Sequence, residues 1–383
     1  MRAVTPALPK LAPKIVRWQR RAGRHDLPWQ GERDPYRVWV SEVMLQQTQV
    51  ATVRAYYPRF LQRFPDLPTL AAAPQDAVLA LWSGLGYYSR ARSLHRAAQC
   101  VMAEHGGVLP HGAAALARLP GIGRSTAAAI AVFCFGERAA VFDGNVRRVL
   151  ARVLGFDGDL AQAAPQRALW RRAEELLPAR AVDVYTQGLM DLGATVCLAR
   201  APRCDVCPLA GDCAARRAGR PEAFPVRAQR AQRQRRAHAL LWLTQGARWW
   251  LVQRPQRGVW AGLWSLPEFA SAAELEAFVC GWPGTGQWLP PLEHRLTHVD
   301  WTLQPLHWRM PARGAAAAAR MLGPGRWFAI EDALALGLPA PVRRWLEAAP
   351  RCAAEPRCLR RPESRACFAS AQAQSATTFL SRR

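Results

Sequence analysis

Cys197, Cys204, Cys207 and Cys213 stand in the spacing C-x6-C-x2-C-x5-C, and nothing else in the chain limits its fold as tightly. Four thiols this close together, in a chain whose first residues lack an apolar leader core, suit a metal site better than disulfides. Zinc and an iron–sulfur cluster both remain open on donor type alone. Structural zinc sites more often use two separated C-x2-C pairs, and here one pair is flanked by single cysteines. The segment between the first two thiols, "LARAPR", is basic, so a group bound there would also fix Arg200 and Arg203 in place. Cys100 and Cys134 have no such spacing and read as core residues.

Length and charge narrow the field further. A chain of 383 residues is long enough for two ordinary domains. Lys and Arg number 52 against 28 Asp and Glu, a net charge of +24, which points to a polyanionic partner. Lys occurs only at Lys10 and Lys14, so the excess is carried by Arg. No apolar run approaches the roughly 18 residues that cross a bilayer, so nucleic acid is favoured over a membrane. The expected location is the cytoplasm.

Along the chain the character changes three times. Up to residue 213 apolar positions recur at helical spacing, as at Val38, Val43, Met44 and Val50. Residues 214–236 are rich in Arg, Gln, Pro and Ala, and read as an exposed linker. From 237 to 350 "AHALLWLTQGARWWLVQR" alternates on both sides of a turn, a β-hairpin signal. Apolar runs at "WTLQPLHWRM" and "RWFAI" follow, with an Ala-rich helical stretch between them, so this part is α+β. Residues 351–383 lack periodicity and are expected to be a disordered tail.

The stretch "LPGIGRSTAAAI", Leu119 to Ile130, combines a Gly-rich turn with a helix start. Gly121 and Gly123 allow backbone N–H groups to approach a DNA phosphate, with Arg124 beside them. Alone, such a turn is more often a plain helix connection. Together with the cysteine spacing it resembles the helix–hairpin–helix superfamily of endonuclease III. "LPWQGERDPYRVWVSEVMLQQTQVATV", "GLGYYSRARSLHRAA" and "YTQGLMDLGATVC" resemble, more narrowly, the adenine DNA glycosylase family. The resemblance covers residues 15–213. It implies a mainly α glycosylase domain with one 4Fe–4S cluster on Cys197, Cys204, Cys207 and Cys213. The implied substrate is double-stranded DNA carrying A opposite 8-oxoguanine or G, from which adenine is flipped out and hydrolysed.

Two carboxylates carry the chemistry. Glu42 lies in "VWVSEVML" among Val38, Trp39, Val43 and Leu45, where a carboxylic acid keeps its proton near neutrality. A solvated helix Glu is the plainer reading of the same residue. Adenine leaves readily only once protonated, and Glu42 can supply that proton at N7. Asp143 in "VFDGNVRRVL" precedes a helix and can be a simple N-cap. The resemblance makes it the carboxylate that stabilises the oxocarbenium-like sugar, the two-carboxylate logic of glycoside hydrolysis. Asn145 and Ser125 take supporting places by the same match. Gln46 or Gln47 is expected to wedge into the stack, Leu45 and Tyr87 to fill space beside the opposing base, and Trp29 and Gln187 to line the adenine pocket.

Superfamily members that also cut the strand carry Lys where this chain has Ser125. A Schiff base needs an amine, so base release without strand scission is expected. Three other readings are disfavoured: a glycosylase–lyase by the missing Lys, a nucleotide pyrophosphatase by the incomplete Nudix box, and a non-enzymatic iron–sulfur DNA-binding protein by the presence of both Glu42 and Asp143.

The second domain, through "RPQRGVWAGLWSLPEF", resembles the Nudix-like domain of the same family. A working Nudix enzyme holds Mg²⁺ through a run of Glu with Arg, and "ASAAELEAFV" offers only two Glu. The resemblance instead implies 8-oxoguanine recognition. The family's Phe-x-His-x-Phe-Ser-His loop reads "LEHRLTH" here, keeping His294 and His298, placing Thr297 for Ser, and replacing both Phe by Leu. A monomer in a bacterial cytoplasm, working on the nucleoid, is the expected setting.

Overall fold

Asp34, Asp66 and Asp143 start three helices in one way: each carboxylate accepts a backbone N–H from the first turn. Those donors have no partner inside the helix, so an acceptor just before it fixes where the helix begins. In the computed structural model, which describes residues 11–226, 233–296 and 299–348, the caps belong to a helical half. It comprises α1 (Leu11–Ala22), α2 (Pro35–Leu45), α3 (Val50–Arg63), α4 (Leu67–Ala72), α5 (Gln75–Trp82) and α6 (Ser89–Glu104). Then come α7 (Ala113–Leu116), α8 (Arg124–Phe135), α9 (Gly144–Leu154), α10 (Ala163–Glu175), α11 (Val182–Thr195) and α12 (Ala214–Arg217).

Helices α1, α9 and α11 pack around Ile15, Val146, Leu150, Tyr185 and Leu192, all essentially without solvent contact. On α11, Gly193 lets α9 close in, since a Cβ there would lie 2.6 Å from Cβ of Asn145. Residues 216–220, 222, 223 and 226 are exposed, as expected of a linker, but this stretch is also anchored to the helical half. α12 packs on α9 with Ala215 fully buried, and Arg152 donates to the carbonyl of Phe224 at 3.0 Å. The few apolar residues in this Arg-rich stretch find a surface that composition does not reveal.

The second half is a sheet with helices. β1 (Gln234–Gln245) and β2 (Arg248–Gln253) form the expected hairpin, with Thr244 opposite Trp249 and the turn at Gly246. Four short pieces follow: β3 (Trp264–Ser265), β4 (Glu268–Phe269), β5 (Thr285–Trp288) and β6 (Leu292–Arg295). β7 (Val299–Arg309) runs parallel to β1, and β8 (Gly325–Ala329) returns to β2. The strand order is β3-β2-β1-β7-β5, with β4 on β1 and β6 on β7. Helices α13 (Ala272–Val279), α14 (Ala312–Leu322), α15 (Ile330–Leu334) and α16 (Ala340–Ala348) complete it.

The halves meet along α5, α6 and the loop between them. Trp264 donates its indole N–H to Asp76 at 3.0 Å, Tyr88 donates to the carbonyl of Leu338 at 2.9 Å, and Arg92 donates to that of Ala261 at 2.6 Å. Among the described residues no helix is long and apolar enough to cross a membrane.

Candidate active site

Helix α2 is apolar on nearly every side. Val38, Trp39, Val43 and Met44 are buried, and Glu42 is its one acidic residue. Glu42 reaches a cavity of about 340 Å³ that Asp143 also lines. Among the described residues no cation pairs with Glu42. Burial, with the charge of Asp143 adding to it, pushes its carboxyl up to about 8.

Asp143 sits at the start of α9 as its N-cap and also lines the cavity that Glu42 reaches. One oxygen accepts the N–H of Val146 at 2.7 Å, and the other accepts from the Asn145 amide at 3.0 Å. Burial raises its carboxyl too, opposed by those hydrogen bonds and by nearby Arg147, each of which favours the charged form. Ser125 does not reach this carboxylate through any hydrogen bond among the described residues. Its Oγ accepts the N–H of Phe142 at 3.0 Å, holding the residue just before Asp143. Asn145 in turn accepts from Arg148 at 2.8 Å, so the amide that bonds Asp143 is itself oriented.

Trp29, Leu45, Asn145 and Gln187 line the same cavity. Trp29 meets the ring of Tyr57 edge-on at 5.6 Å. Gln187 donates to Asp191 at 3.0 Å, and the fully buried Asp191 accepts from Arg24 Nε at 2.8 Å and Nη2 at 2.6 Å. Sequence reasoning missed Arg24 and Asp191. The signal for Asp191 was its position four residues after Gln187 on one helix face; Arg24 had none.

Gln46 and Gln47 part company. Gln46 turns inward and donates to Thr126 at 3.1 Å, whereas Gln47 is exposed with a left-handed φ of 56°. Tyr87 is 45% exposed and left-handed as well, at φ 47°. In the hairpin Gly121 has φ 76°, and a Cβ there would fall 2.4 Å from Cβ of Ser93. Gly123 caps α8, with nothing within 4 Å of where its Cβ would be, so its backbone is open to a ligand. Arg124 lies over the Trp170 ring at 4.3 Å and is ion-paired with Glu174. Lys14 is ion-paired with Asp212 at 2.5 Å and is not among the residues lining the cavity.

Cys197, Cys204, Cys207 and Cys213 together line a small cavity of about 20 Å³. Arg152, almost wholly buried, donates to Cys197 Sγ at 3.3 Å and to the carbonyl of Leu198 at 2.6 Å. Among the described residues no three His, Cys, Asp or Glu converge as they would round a single metal ion. Cys100 and Cys134 are half-buried rather than core.

In the second half His294 lies on β6, opposite Trp301 of β7, so part of the stretch read as a loop is a strand. Its ring stands 5.4 Å from that of Trp260, which stacks on Trp301 at 4.6 Å. Burial lowers the His294 imidazole, with Arg344 acting the same way. Thr297 and His298 lie outside the described residues, as does the tail from 351. The two Glu of α13 are both engaged: Glu274 accepts the N–H of Ala270 at 2.8 Å, and Glu276 accepts from the Trp288 indole at 2.9 Å.

Residues 40–175 match the model of the HhH-GPD superfamily of base excision DNA repair proteins, and residues 238–348 match that of the NUDIX domain. The adenine DNA glycosylase of Buchnera aphidicola subsp. Acyrthosiphon pisum is 31% identical over 87% of this chain and 95% of its own length. That of Buchnera aphidicola subsp. Baizongia pistaciae is 32% identical over 86% and 94%. The adenine DNA glycosylase of Homo sapiens is 37% identical over 73% of this chain and 64% of its own.

Proposed function

The chain belongs to the adenine DNA glycosylase family, hydrolases of the N-glycosidic bond in DNA, and from that premise we propose that it removes adenine facing 8-oxoguanine or G and leaves the strand uncut. The observation that carries the mechanism is the pair of carboxylates on one cavity, Glu42 with no ion-pair partner among the described residues and Asp143 held by two hydrogen bonds. Glu42, pushed up to about 8, still holds its proton at neutral pH and gives it to N7 of the flipped adenine. The bond from C1′ to N9 breaks with its electron pair going to the base. Asp143, whose hydrogen bonds and neighbouring Arg147 favour its charged form, faces as a carboxylate the positive charge that develops on the sugar. Water then adds at C1′ and its proton goes to the Glu42 carboxylate.

Trp29 and Gln187 serve as walls of the adenine pocket, the latter fixed by Asp191 and Arg24. Hydrolysis alone is supported by the amines available. Ser125 is spent on backbone, and Lys14 is paired with Asp212. Cys197, Cys204, Cys207 and Cys213 would hold a 4Fe–4S cluster. The donor set is all thiol, and one C-x2-C pair flanked by single cysteines suits such a cluster better than the paired motifs of structural zinc sites. Such a cluster would brace the basic segment containing Arg200 and Arg203 for phosphate contact. Gly121, Gly123 and Arg124 approach the backbone from the hairpin. His294, with Thr297 and His298 of the same stretch, would read 8-oxoguanine. The protein would act as a monomer on nucleoid DNA in a bacterial cytoplasm.

The test is a duplex with A opposite 8-oxoguanine, with strand breakage measured before and after hot alkali. Breakage only after alkali is expected. Scission without alkali together with a borohydride-trapped adduct would overturn hydrolysis alone, and no abasic site at all would overturn the activity.

A further inference from the structure

Arg90, in the first turn of α6, is 9% exposed and spends its guanidinium on the two loops that end in Gln47 and Tyr87. Nη1 donates to the carbonyls of Val43 at 2.8 Å, Met44 at 2.9 Å and Gln46 at 2.5 Å. Nη2 donates to Thr48 Oγ1 at 3.0 Å, to the Gly86 carbonyl at 3.1 Å and to that of Leu85 at 3.3 Å. The same guanidinium lies 5.5 Å from the Tyr87 ring centre and 5.4 Å from that of Trp82. Among the described residues no carboxylate pairs with it. A buried charge normally has a counter-ion; this one is neutralised only by backbone and hydroxyl dipoles.

The two loops have a common peculiarity. Gln47 and Tyr87 each hold a left-handed backbone that non-glycine residues rarely adopt, and both are exposed. Such strain persists only where surrounding contacts over-determine it. Here one planar group bonds both loops. A rigid fork fixes directions as well as distances, which the point charge of a Lys does not. We propose that Arg90 is a positioning residue that presets Gln47 and Tyr87 as a matched pair of tips entering the duplex as adenine leaves it. It touches neither the base nor the sugar and acts through the tips. The idea rests on the base-flipping activity proposed above.

The experiment compares two substrates under single-turnover conditions. In one, adenine faces 8-oxoguanine; in the other it faces an abasic analogue, so no base pair has to be opened. Arg90→Lys and Arg90→Gln should slow base release from the paired substrate by about ten- to a hundredfold, because tips that are not preset no longer offset the cost of unstacking and unpairing. Release from the unpaired substrate should fall by less than about threefold, since proton transfer from Glu42 is untouched. In a Gln47→Ala/Tyr87→Ala background, Arg90→Lys should add no further selective loss. Equal loss on both substrates, no loss on either, or full additivity in the tip-deleted background would each overturn the proposal. A variant whose melting temperature collapses is set aside for the other, and Lys keeps the charge and most of the reach. Failure of the wild-type protein to release adenine from either substrate would instead overturn the activity itself.

Discussion

Glu42 and Glu268 are both partly enclosed glutamates, one in each half of the molecule, and their neighbours give them opposite jobs. Glu42 faces a cavity with Asp143 on the same wall and has no ion-pair partner among the described residues. Glu268 has Arg254 against one carboxylate oxygen and His238 against the other. Desolvation without compensation favours the neutral acid of Glu42, whereas Glu268 is gripped from both sides. The first is a stored proton. The second is a brace tying β4 to β1 and to the loop after β2. The Nudix-like half therefore keeps a carboxylate among basic groups as a strut, while the helical half leaves Glu42 without an ion-pair partner among the described residues, on the cavity proposed as the active site.

Substitutions at the two sites break this comparison in order of expected size. Glu42→Gln should lower base release by about 10²–10⁴-fold, the usual worth of a positioned acid, with duplex binding retained. Asp143→Asn should lower it by about 10²–10³-fold, the range for a lost electrostatic stabiliser. Single-turnover rates with binding measured in parallel check both, and an active Glu42→Gln protein would remove Glu42 as the acid.

The pH dependence is the next largest effect. Since Glu42 must hold its proton, released at about 8, the rate should fall about tenfold per unit above that point, and it should fall again at low pH where Asp143 takes up a proton. Stability carries the same signature. The folded state keeps the proton up to about 8 and the unfolded chain releases it near 4.5, so this stabilisation is complete below 4.5 and is lost as pH rises through 8. Glu42→Gln should therefore gain on the wild type in melting temperature above pH 8 and lose that gain near pH 5. A gain that does not vary with pH would mean that Glu42 is an ordinary ionised carboxylate.

Glu268→Gln should move catalysis least. Release of adenine opposite G should change by less than about twofold, while stability falls by about 1–3 kcal/mol, the usual cost of removing an acceptor from charged, largely buried donors. A large loss of activity at unchanged stability would make Glu268 part of the reaction and erase the contrast.

Local patterns made much of this legible. The 3.6-residue spacing marked the helices, the alternation around "TQGA" marked the β1–β2 hairpin, and an acid inside "VWVSEVML" marked Glu42. Arg90 was invisible, because in "YYSRARSLHRAA" it reads as one basic residue among several and its acceptors are mostly backbone carbonyls, which any residue supplies. The start of "LEHRLTH" was read as a loop because its partner β7 is a separate segment. Ala215 and Phe224 were taken for linker because what they pack on, α9 and Arg152, lies far back in the chain.

The sequence by itself determined the kinds of element, the cysteine spacing, the lack of a Lys beyond residue 14 and the two acids to which the proposed chemistry is assigned. Those are properties of residue type and short-range spacing. Only the tertiary structure decided that Glu42 has no ion-pair partner among the described residues, that Gln47 rather than Gln46 is exposed, and that one guanidinium ties Gln47's loop to Tyr87's. Each of these depends on which groups from distant segments share a small volume, and burial and hydrogen bonding are set by that volume rather than by the order of the chain.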